Sequence, residues 1–105
     1  MSIVTVVAII TAKPGKRDQL LALARANLAA VRAEEGCIEY GLTVDVDGFG
    51  PSQAPLGQDS FAFVEKWASE EALRLHFTLP HMTDYRDKSK DLIAERAVHI
   101  LRSAD

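Results

Sequence analysis

The chain contains little cysteine, few aromatic residues and no strong excess of either charge. Its one cysteine, Cys37, excludes a disulfide within the chain and is typical of a reducing compartment. The net charge is −3 and no more than two basic residues are adjacent, which argues against a nucleic acid partner. Hydrophobic residues make up 48% and charged residues 26%, as in an ordinary globular protein, so we expect one domain over residues 1–105.

No hydrophobic run is long enough to cross a membrane. The best candidate, residues 2–12, is too short for a bilayer. Its basic residues Lys13, Lys16 and Arg17 follow the apolar run, whereas a signal peptide carries them before it. We therefore interpret the run as a buried strand and expect a cytoplasmic protein with no membrane partner.

The first half of the chain predicts a strand, a helix and a second strand. Residues 2–12 are rich in Ile, Val and Thr, and residues 16–32 carry apolar side chains at helical spacing until Gly36 stops the helix. Residues 37–46 alternate with the period of a strand. The predicted apolar face of that strand consists of Ile38, Tyr40, Leu42, Val44 and Val46.

The second half predicts a loop, a strand, a broken helix and a final strand. Residues 47–59 are rich in Gly and Pro and predict a long connection, and residues 60–68 resume as a strand. Ser69 caps a helix that Pro80 divides into two pieces, and residues 96–102 form the last strand. One side of the second helical piece is predicted to carry Met82, Tyr85, Ser89, Leu92 and Ile93.

The order βαββαβ predicts an α+β fold of ferredoxin-like type, with helices on one face of a four-stranded antiparallel sheet. Both faces of this sheet are apolar. In the first strand Val6 and Ala8 point to one face while Val7 and Ile9 point to the other. Because helices cover only one face, we expect a homodimer in which the sheet faces pack together.

Three stretches of the chain resemble the antibiotic biosynthesis monooxygenase family. They are residues 13–16, residues 35–40, which resemble the family's E-x-G-C-x-x-Y segment, and residues 63–73 followed by His76, Pro80 and His81. The resemblance implies a dimeric α/β barrel with a small pocket between sheet and helices. Relatives include quinol and polyketide-aromatic oxygenases that use no metal or flavin, and haem-degrading enzymes, so the family predicts the fold better than the reaction.

Oxygenation without a cofactor requires a substrate that is itself the reductant, such as a phenol or hydroquinone. The protein must hold a flat aromatic molecule in a dry pocket, take its proton and stabilise the anion. We therefore expect no cofactor and a small aromatic substrate.

His76 is the candidate catalytic base, because it follows Leu73 at helical spacing and its pKa suits proton transfer. A buried histidine bonded to a backbone carbonyl before Pro80 is the alternative. His81 is a candidate at the pocket mouth or else a solvated surface residue. The spacing of the two histidines across a proline does not suit zinc, so no metal site is expected.

Five further residues are candidates for substrate binding. Trp67 is a candidate pocket wall or a core residue, and Tyr40 a hydroxyl donor or a core tyrosine. Asn27 interrupts the apolar side of the first helix, so its amide needs a partner from the backbone or a ligand. The other two, Tyr85 and Arg86, belong to the last helical piece, where Arg86 is suited to an anionic substrate or to a solvated helix face.

Two departures from the haem-degrading relatives argue against haem degradation. Their axial histidine corresponds by spacing to a position near Arg86, and their first-strand asparagine is absent from residues 3–10. Glu65 lies among aromatic residues; a functional carboxyl group of raised pKa is one interpretation, and pairing across the sheet or the dimer interface, for example with Arg96 or Arg102, is the favoured one.

Three functions therefore compete. The first is a cofactor-independent monooxygenase acting on a phenolic, quinol or polyketide-type aromatic compound. The second is a dimer that binds a small molecule without turnover, and the third is an isomerase or cyclase that moves a proton without O₂. Oxygen uptake separates the first from the other two.

Overall fold

The predicted order of elements is confirmed in a computed structural model, which describes residues 2–105. Helical residues form where apolar side chains recur every three or four positions, and strands where Ile, Val and Phe alternate. The elements are β1 (Val4–Ala12), α1 (Arg17–Arg32), β2 (Cys37–Thr43), β3 (Ser60–Trp67), α2 (Glu70–His76), α3 (Pro80–Ser89), a short 3₁₀ turn (Lys90–Leu92) and β4 (Ile93–Leu101).

The four strands form one antiparallel sheet in the order β2-β3-β1-β4. The register places Glu65 of β3 between Tyr40 of β2 and Val6 of β1. Farther along β1, Ile10 is paired with Arg96 of β4. Side chains of residues paired on neighbouring strands point to the same face of the sheet, so this register determines which side chains meet on the helix-covered face.

The core lies between this face and the helices. Alternate residues of β1 from Val4 to Ala12 are buried, and Phe61 and Trp67 of β3 pack beside them. Leu20 and Val31 of α1 close the core from the other side and are fully buried.

The centre of the opposite face of the sheet is also apolar, as the sequence predicts, while Lys66 and His99 lie on the same face around it. Val7 and Ile9 of β1 are half-buried there, in register with Val64 and Ala62 of β3. None of these four residues belongs to the helix-packed core. A large part of this β-layer is therefore available to a second apolar surface.

The ends of the broken helix follow their sequence signals. The Ser69 hydroxyl accepts the Ala72 N–H at 3.1 Å, which caps α2, and Pro80 is the first residue of α3, where its missing N–H costs nothing. The first helix already ends at Arg32, and Gly36 lies in the following turn with φ of +87°. Within residues 2–105, none of the helices has the length and apolar character that crossing a bilayer requires.

Two strand predictions are wrong in detail. The register of β2 shifts between Cys37 and Glu39, so Ile38 occupies a bulge and is 54% exposed instead of sharing the face of Tyr40. The strand ends at Thr43, which leaves Val44 and Val46 exposed.

The last strand begins at Ile93 rather than at residue 96. Ile93 therefore belongs to β4 and not to the apolar side of the preceding helix.

Candidate functional site

A cavity of about 400 Å³ lies between the helix-covered face of the sheet and α3. Its floor is the apolar row Val6, Ala8 and Ile10 of β1. Because Ala8 is small, the sheet leaves space at the centre of the floor that a larger side chain would fill. Around this floor stand the polar candidates Tyr40, Glu65, His76, Tyr85 and Arg86. An apolar floor with a few convergent polar groups is typical of a small-molecule site.

His76 is the last residue of α2 and is only 1% exposed. Its ring stacks at a tilt on Trp67, with ring centroids 4.6 Å apart, and meets the edge of Tyr40 at 5.8 Å. Its Nδ1 lies 3.0 and 2.9 Å from the two carboxylate oxygens of Glu34. The predicted alternative, a bond to a backbone carbonyl, is therefore replaced by a bond to a carboxylate.

This contact fixes the protonation of the His76 ring. Burial lowers the pKa of His76, which favours the neutral imidazole. The Glu34 carboxylate only accepts hydrogen bonds, so Nδ1 carries the proton and Nε2 keeps its lone pair. A neutral histidine oriented through Nδ1 by a carboxylate is the arrangement of a general base.

Glu34 holds two histidines from two helices. Its carboxylate is 5% exposed and also accepts from His81 Nε2 at 2.7 Å, while the His81 side chain is 27% exposed. The turn that carries Glu34 lies tightly against α2, since a Cβ on Gly36 would be 2.6 Å from the Ala72 Cβ. The absence of a side chain at Gly36 thus allows Glu34 to reach His76.

Glu65 lines the cavity as a buried carboxyl group. It is 6% exposed, and the Trp67 indole N–H donates to its Oε1 at 2.9 Å. Burial raises the pKa of Glu65 to about 7, against the opposing effect of the Trp67 hydrogen bond. Within the chain, the favoured prediction that Glu65 pairs with Arg96 or Arg102 is wrong, because its partner is the indole of Trp67.

Tyr40 is 5% exposed and lies in the same sheet row as Glu65. Burial, reinforced by the nearby Glu65, raises the pKa of Tyr40 above its ordinary value. The phenol therefore remains protonated at neutral pH and is available as a hydrogen-bond donor to a ligand oxygen.

Tyr85 and Arg86 reach the cavity from α3. Burial raises the pKa of Tyr85, so this hydroxyl also remains protonated. The Arg86 guanidinium donates to the Phe77 carbonyl oxygen at 2.8 Å, which fixes it at the rim of the cavity.

Three predicted ligand contacts lie outside the cavity lining. Trp67 is fully buried behind Glu65 and His76, where it orients both. Asn27 donates to the Met82 sulfur at 3.4 Å and borders a separate shallow groove. His81 contacts Glu34 rather than the cavity, and it is neither at the cavity wall nor freely solvated.

Glu34 is the residue of the candidate site that the sequence did not single out. Its bond to His76 joins residues 42 positions apart, which no local pattern reports. One signal was present: when the pattern E-x-G-C-x-x-Y is aligned on Gly36 and Cys37, its glutamate falls on Glu34. Although Glu34, His76 and His81 converge, they bond directly to one another, and no group of three such side chains within residues 2–105 is arranged to hold a metal ion.

The fold and the site define a ferredoxin-like α+β protein with an open cavity lined by acid–base groups. The sequence model of the antibiotic biosynthesis monooxygenase family matches residues 3–88, and the chain belongs to this family. Members of the family are typically dimeric.

Individual relatives agree with this assignment. The chain is 31% identical over 103 residues to Rv0793 of Mycobacterium tuberculosis, which is named as a candidate monooxygenase, with 97% of this chain and 92% of that protein covered. The solved structure of Rv0793 superposes with a TM-score of 0.81 over 99% of this chain and 97% of that one.

Two further matches extend the comparison. The structure of PA3566 from Pseudomonas aeruginosa is 27% identical and superposes with a TM-score of 0.83, covering 100% of this chain and 97% of that one. The uncharacterized protein sll1783 of Synechocystis is 33% identical over 84% of this chain, but the match spans only 54% of that longer protein.

Proposed function

We propose that this chain is a cofactor-independent monooxygenase that oxidises a small phenolic, quinol or polyketide-type aromatic compound with O₂. The observation that carries the proposal is the neutral His76, whose Nδ1 is held by Glu34 and whose ring lines an apolar cavity. Nε2 is thereby left to accept a proton from a substrate. The family's monooxygenase character supports the same reaction class.

The reaction balances without an external reductant. For a substrate with an acidic ring methylene, His76 Nε2 takes a proton, and the resulting carbanion passes one electron to O₂. The radical pair combines to form a carbon–oxygen bond, and His76 returns its proton to the peroxide. Cleavage of the oxygen–oxygen bond with loss of the second C–H proton releases water and leaves a carbonyl. One oxygen atom enters the product and the other leaves as water, and all four electrons that reduce O₂ come from the substrate.

Tyr40 and Glu65 suit the charged stages of this reaction. A protonated Tyr40 would donate to the oxygen on which the substrate anion develops, which stabilises that anion. Glu65, whose pKa is raised to about 7 by burial, is able to hold or give a proton near neutral pH. Tyr85 and Arg86 complete the proposed substrate contacts at the rim.

The proposal is tested by oxygen uptake of metal-free protein with an anthrone and with a substituted hydroquinone. We expect the natural chain to take up oxygen faster than the spontaneous rate. In His76→Ala the rate of uptake should fall by about 10²-fold or more, because a positioned base contributes a rate enhancement of that size. Arg25→Gln, on the exposed side of α1, is the matched control and should retain full uptake. Absence of uptake above background across a panel of such compounds would refute the proposal.

A proton-transfer isomerase is the second candidate, favoured by the presence of three proton-carrying groups, Tyr40, Glu65 and His76, around one cavity. Such chemistry needs no O₂. Product formation from the same compounds under anaerobic conditions would therefore favour the isomerase, and a strict requirement for O₂ would exclude it.

We also propose that two copies assemble through the outer face of the sheet, where Val7, Ile9 and Val64 form an apolar row. Burying this row in a dimer removes apolar surface from water, which is the main driving force for such association. A cytoplasmic location is proposed on the single cysteine alone.

A further inference from the structure

Positive charge is concentrated at one end of the cavity. Lys90 in the 3₁₀ turn and Arg96 on β4 line this end, and Asp87 is the acidic residue of the lining nearest to Lys90 in the chain. A third cation of the lining, Arg86, lies nearer to His76, since its guanidinium donates to the carbonyl oxygen of the adjacent Phe77. Two positive charges against one negative charge leave this end cationic. The whole chain carries −3, so the local excess runs against the charge of the protein.

These cations are not neutralised by the protein. Among residues 2–105, no salt bridge includes Arg86, Lys90 or Arg96. The Arg86 guanidinium donates to the Phe77 carbonyl oxygen at 2.8 Å and to the Thr83 hydroxyl at 3.4 Å, which are both uncharged. Its position is therefore fixed while its charge stays available to a ligand.

The cationic end is separated from the proton-carrying end by an apolar floor. Glu65 is paired with Val6 of β1, whereas Arg96 is paired with Ile10 on the other side of that strand. Since strands lie about 4.8 Å apart, the backbones of β3 and β4 are roughly 10 Å apart across β1. The floor between them is apolar and includes Ala8, so the cavity offers an acid–base end, a flat apolar middle and a cationic end.

We propose that the substrate is a hydroxylated aromatic carboxylate, with its phenolic end at His76 and its carboxylate between Lys90 and Arg96. The aromatic body fits the apolar floor, and a guanidinium offers two parallel N–H donors to a carboxylate. The orientation of the phenolic end rests on the proposed function, whereas the preference for a carboxylate rests on the charges alone.

Binding of a matched pair of probes tests the proposal. The probes are 6-hydroxy-2-naphthoate and its uncharged carboxamide, titrated calorimetrically under anaerobic conditions so that binding is measured without turnover. We expect the acid to bind about tenfold or more tightly than the amide, because hydrogen bonds between charged partners are the stronger ones. Raising the salt concentration should weaken binding of the acid and leave the amide unchanged.

Variants identify the groups responsible. Arg96→Gln and Lys90→Gln remove exposed side chains and should keep the fold, which circular dichroism checks. We expect each substitution to weaken binding of the acid several-fold and to leave binding of the amide unchanged. The ratio of the two affinities should therefore fall. Arg25→Gln removes one positive charge from α1, outside the cavity lining, and serves as the control.

Three outcomes would overturn the proposal: equal binding of acid and amide, binding of neither, or an equal loss in Arg25→Gln, which would mean a diffuse effect of net charge. Failure of the proposed function is a separate result. If the acid binds more tightly than the amide but no oxygen uptake is found, oxygenation is refuted and the carboxylate preference stands. If oxygen is taken up but acid and amide bind equally, oxygenation stands and the carboxylate preference is refuted.

Discussion

The carboxyl group of Glu65 is protonated in the folded chain at a pH where it would be ionised in the unfolded chain. Its pKa rises from 4.5 to about 7, mainly because burial removes water from the charged form. The folded state then binds the proton more tightly than the unfolded state. The resulting stabilisation is fully present below pH 4.5 and is lost as the pH rises through about 7.

Glu65→Gln should remove this dependence, because the amide keeps an acceptor for the Trp67 indole and does not ionise. We expect the free energy of unfolding of the variant to exceed that of the natural chain at pH 8, by at most about 3 kcal/mol. At pH 4 the two should be nearly equal. Urea unfolding of both proteins at pH 4 and pH 8 measures these free energies. If the variant differs from the natural chain by the same amount at both pH values, Glu65 is not the group that titrates.

Glu34 orients the His76 ring and should control its activity. In Glu34→Gln the carboxylate that stabilises the protonated ring is lost, so we expect oxygen uptake to fall on the order of 10²-fold with the fold intact. Glu35→Gln is the matched control, because this neighbouring residue is exposed and its substitution should leave oxygen uptake unchanged. If both variants keep full activity, Glu34 has only a structural role.

At the residue scale the sequence singled out His76, which lines the cavity, and its role as the base stays a prediction; the partner of its ring was not predicted. The chemistry of an imidazole is evident from its type, whereas its partner lies 42 positions away and is brought near only by the packing of a turn against α2. For Trp67 the sequence left two interpretations open, pocket wall and core residue; the side chain is fully buried and outside the cavity lining, as the second interpretation expects.

At the scale of elements, the turn between α1 and β2 has the tightest requirement. Gly36 has φ of +87° and leaves no room for a Cβ beside Ala72, whereas Gly48 has φ of +65° with nothing within 4 Å of such an atom. Both substitutions by alanine carry the backbone strain of a positive φ, and only the first adds a steric clash.

We therefore expect Gly36→Ala to destabilise the protein more than Gly48→Ala, by about 1–3 kcal/mol in urea unfolding. Displacement of the turn should also move Glu34 away from His76 and reduce oxygen uptake. Equal stability of the two variants would show that the turn relaxes without cost.

Signals at single positions predicted the breaks between elements well. Ser69 caps α2 through one local hydrogen bond, and Pro80 begins α3 because it lacks a backbone N–H. Each effect depends on the residue type alone, so both helix starts are predictable from the sequence. The bulge at Ile38 was not predictable, because the alternation of apolar residues continues through it while the pairing partner skips one position. Ile93 was similarly ambiguous, since its spacing from Tyr85 and Ser89 suits a longer helix as well as a new strand.

At the scale of the whole molecule, the outer face of the sheet predicts the assembly. Ile9→Lys places a charge in the middle of the apolar row with Val64 and Ala62, and burying an unpaired charge is costly. We expect the variant to have a molecular mass of 11.5 kDa in light scattering, and the natural chain to have twice that value.

Leu75→Lys is the control for that measurement. Leu75 is 56% exposed on α2, at a distance from the outer face, so this variant should remain dimeric. A natural chain that is monomeric at all working concentrations would remove the basis of the dimer proposal.

The row Tyr40, Glu65 and Val6, together with the Glu34–His76 pair, comes from one copy of the chain. In the proposed dimer each copy thus carries its own Tyr40, Glu65 and Glu34–His76 pair, and we expect the two proposed sites to work independently. In a mixed assembly of one natural copy and one copy lacking His76, the intact half would keep its own turnover, and the total rate would fall by half rather than vanish.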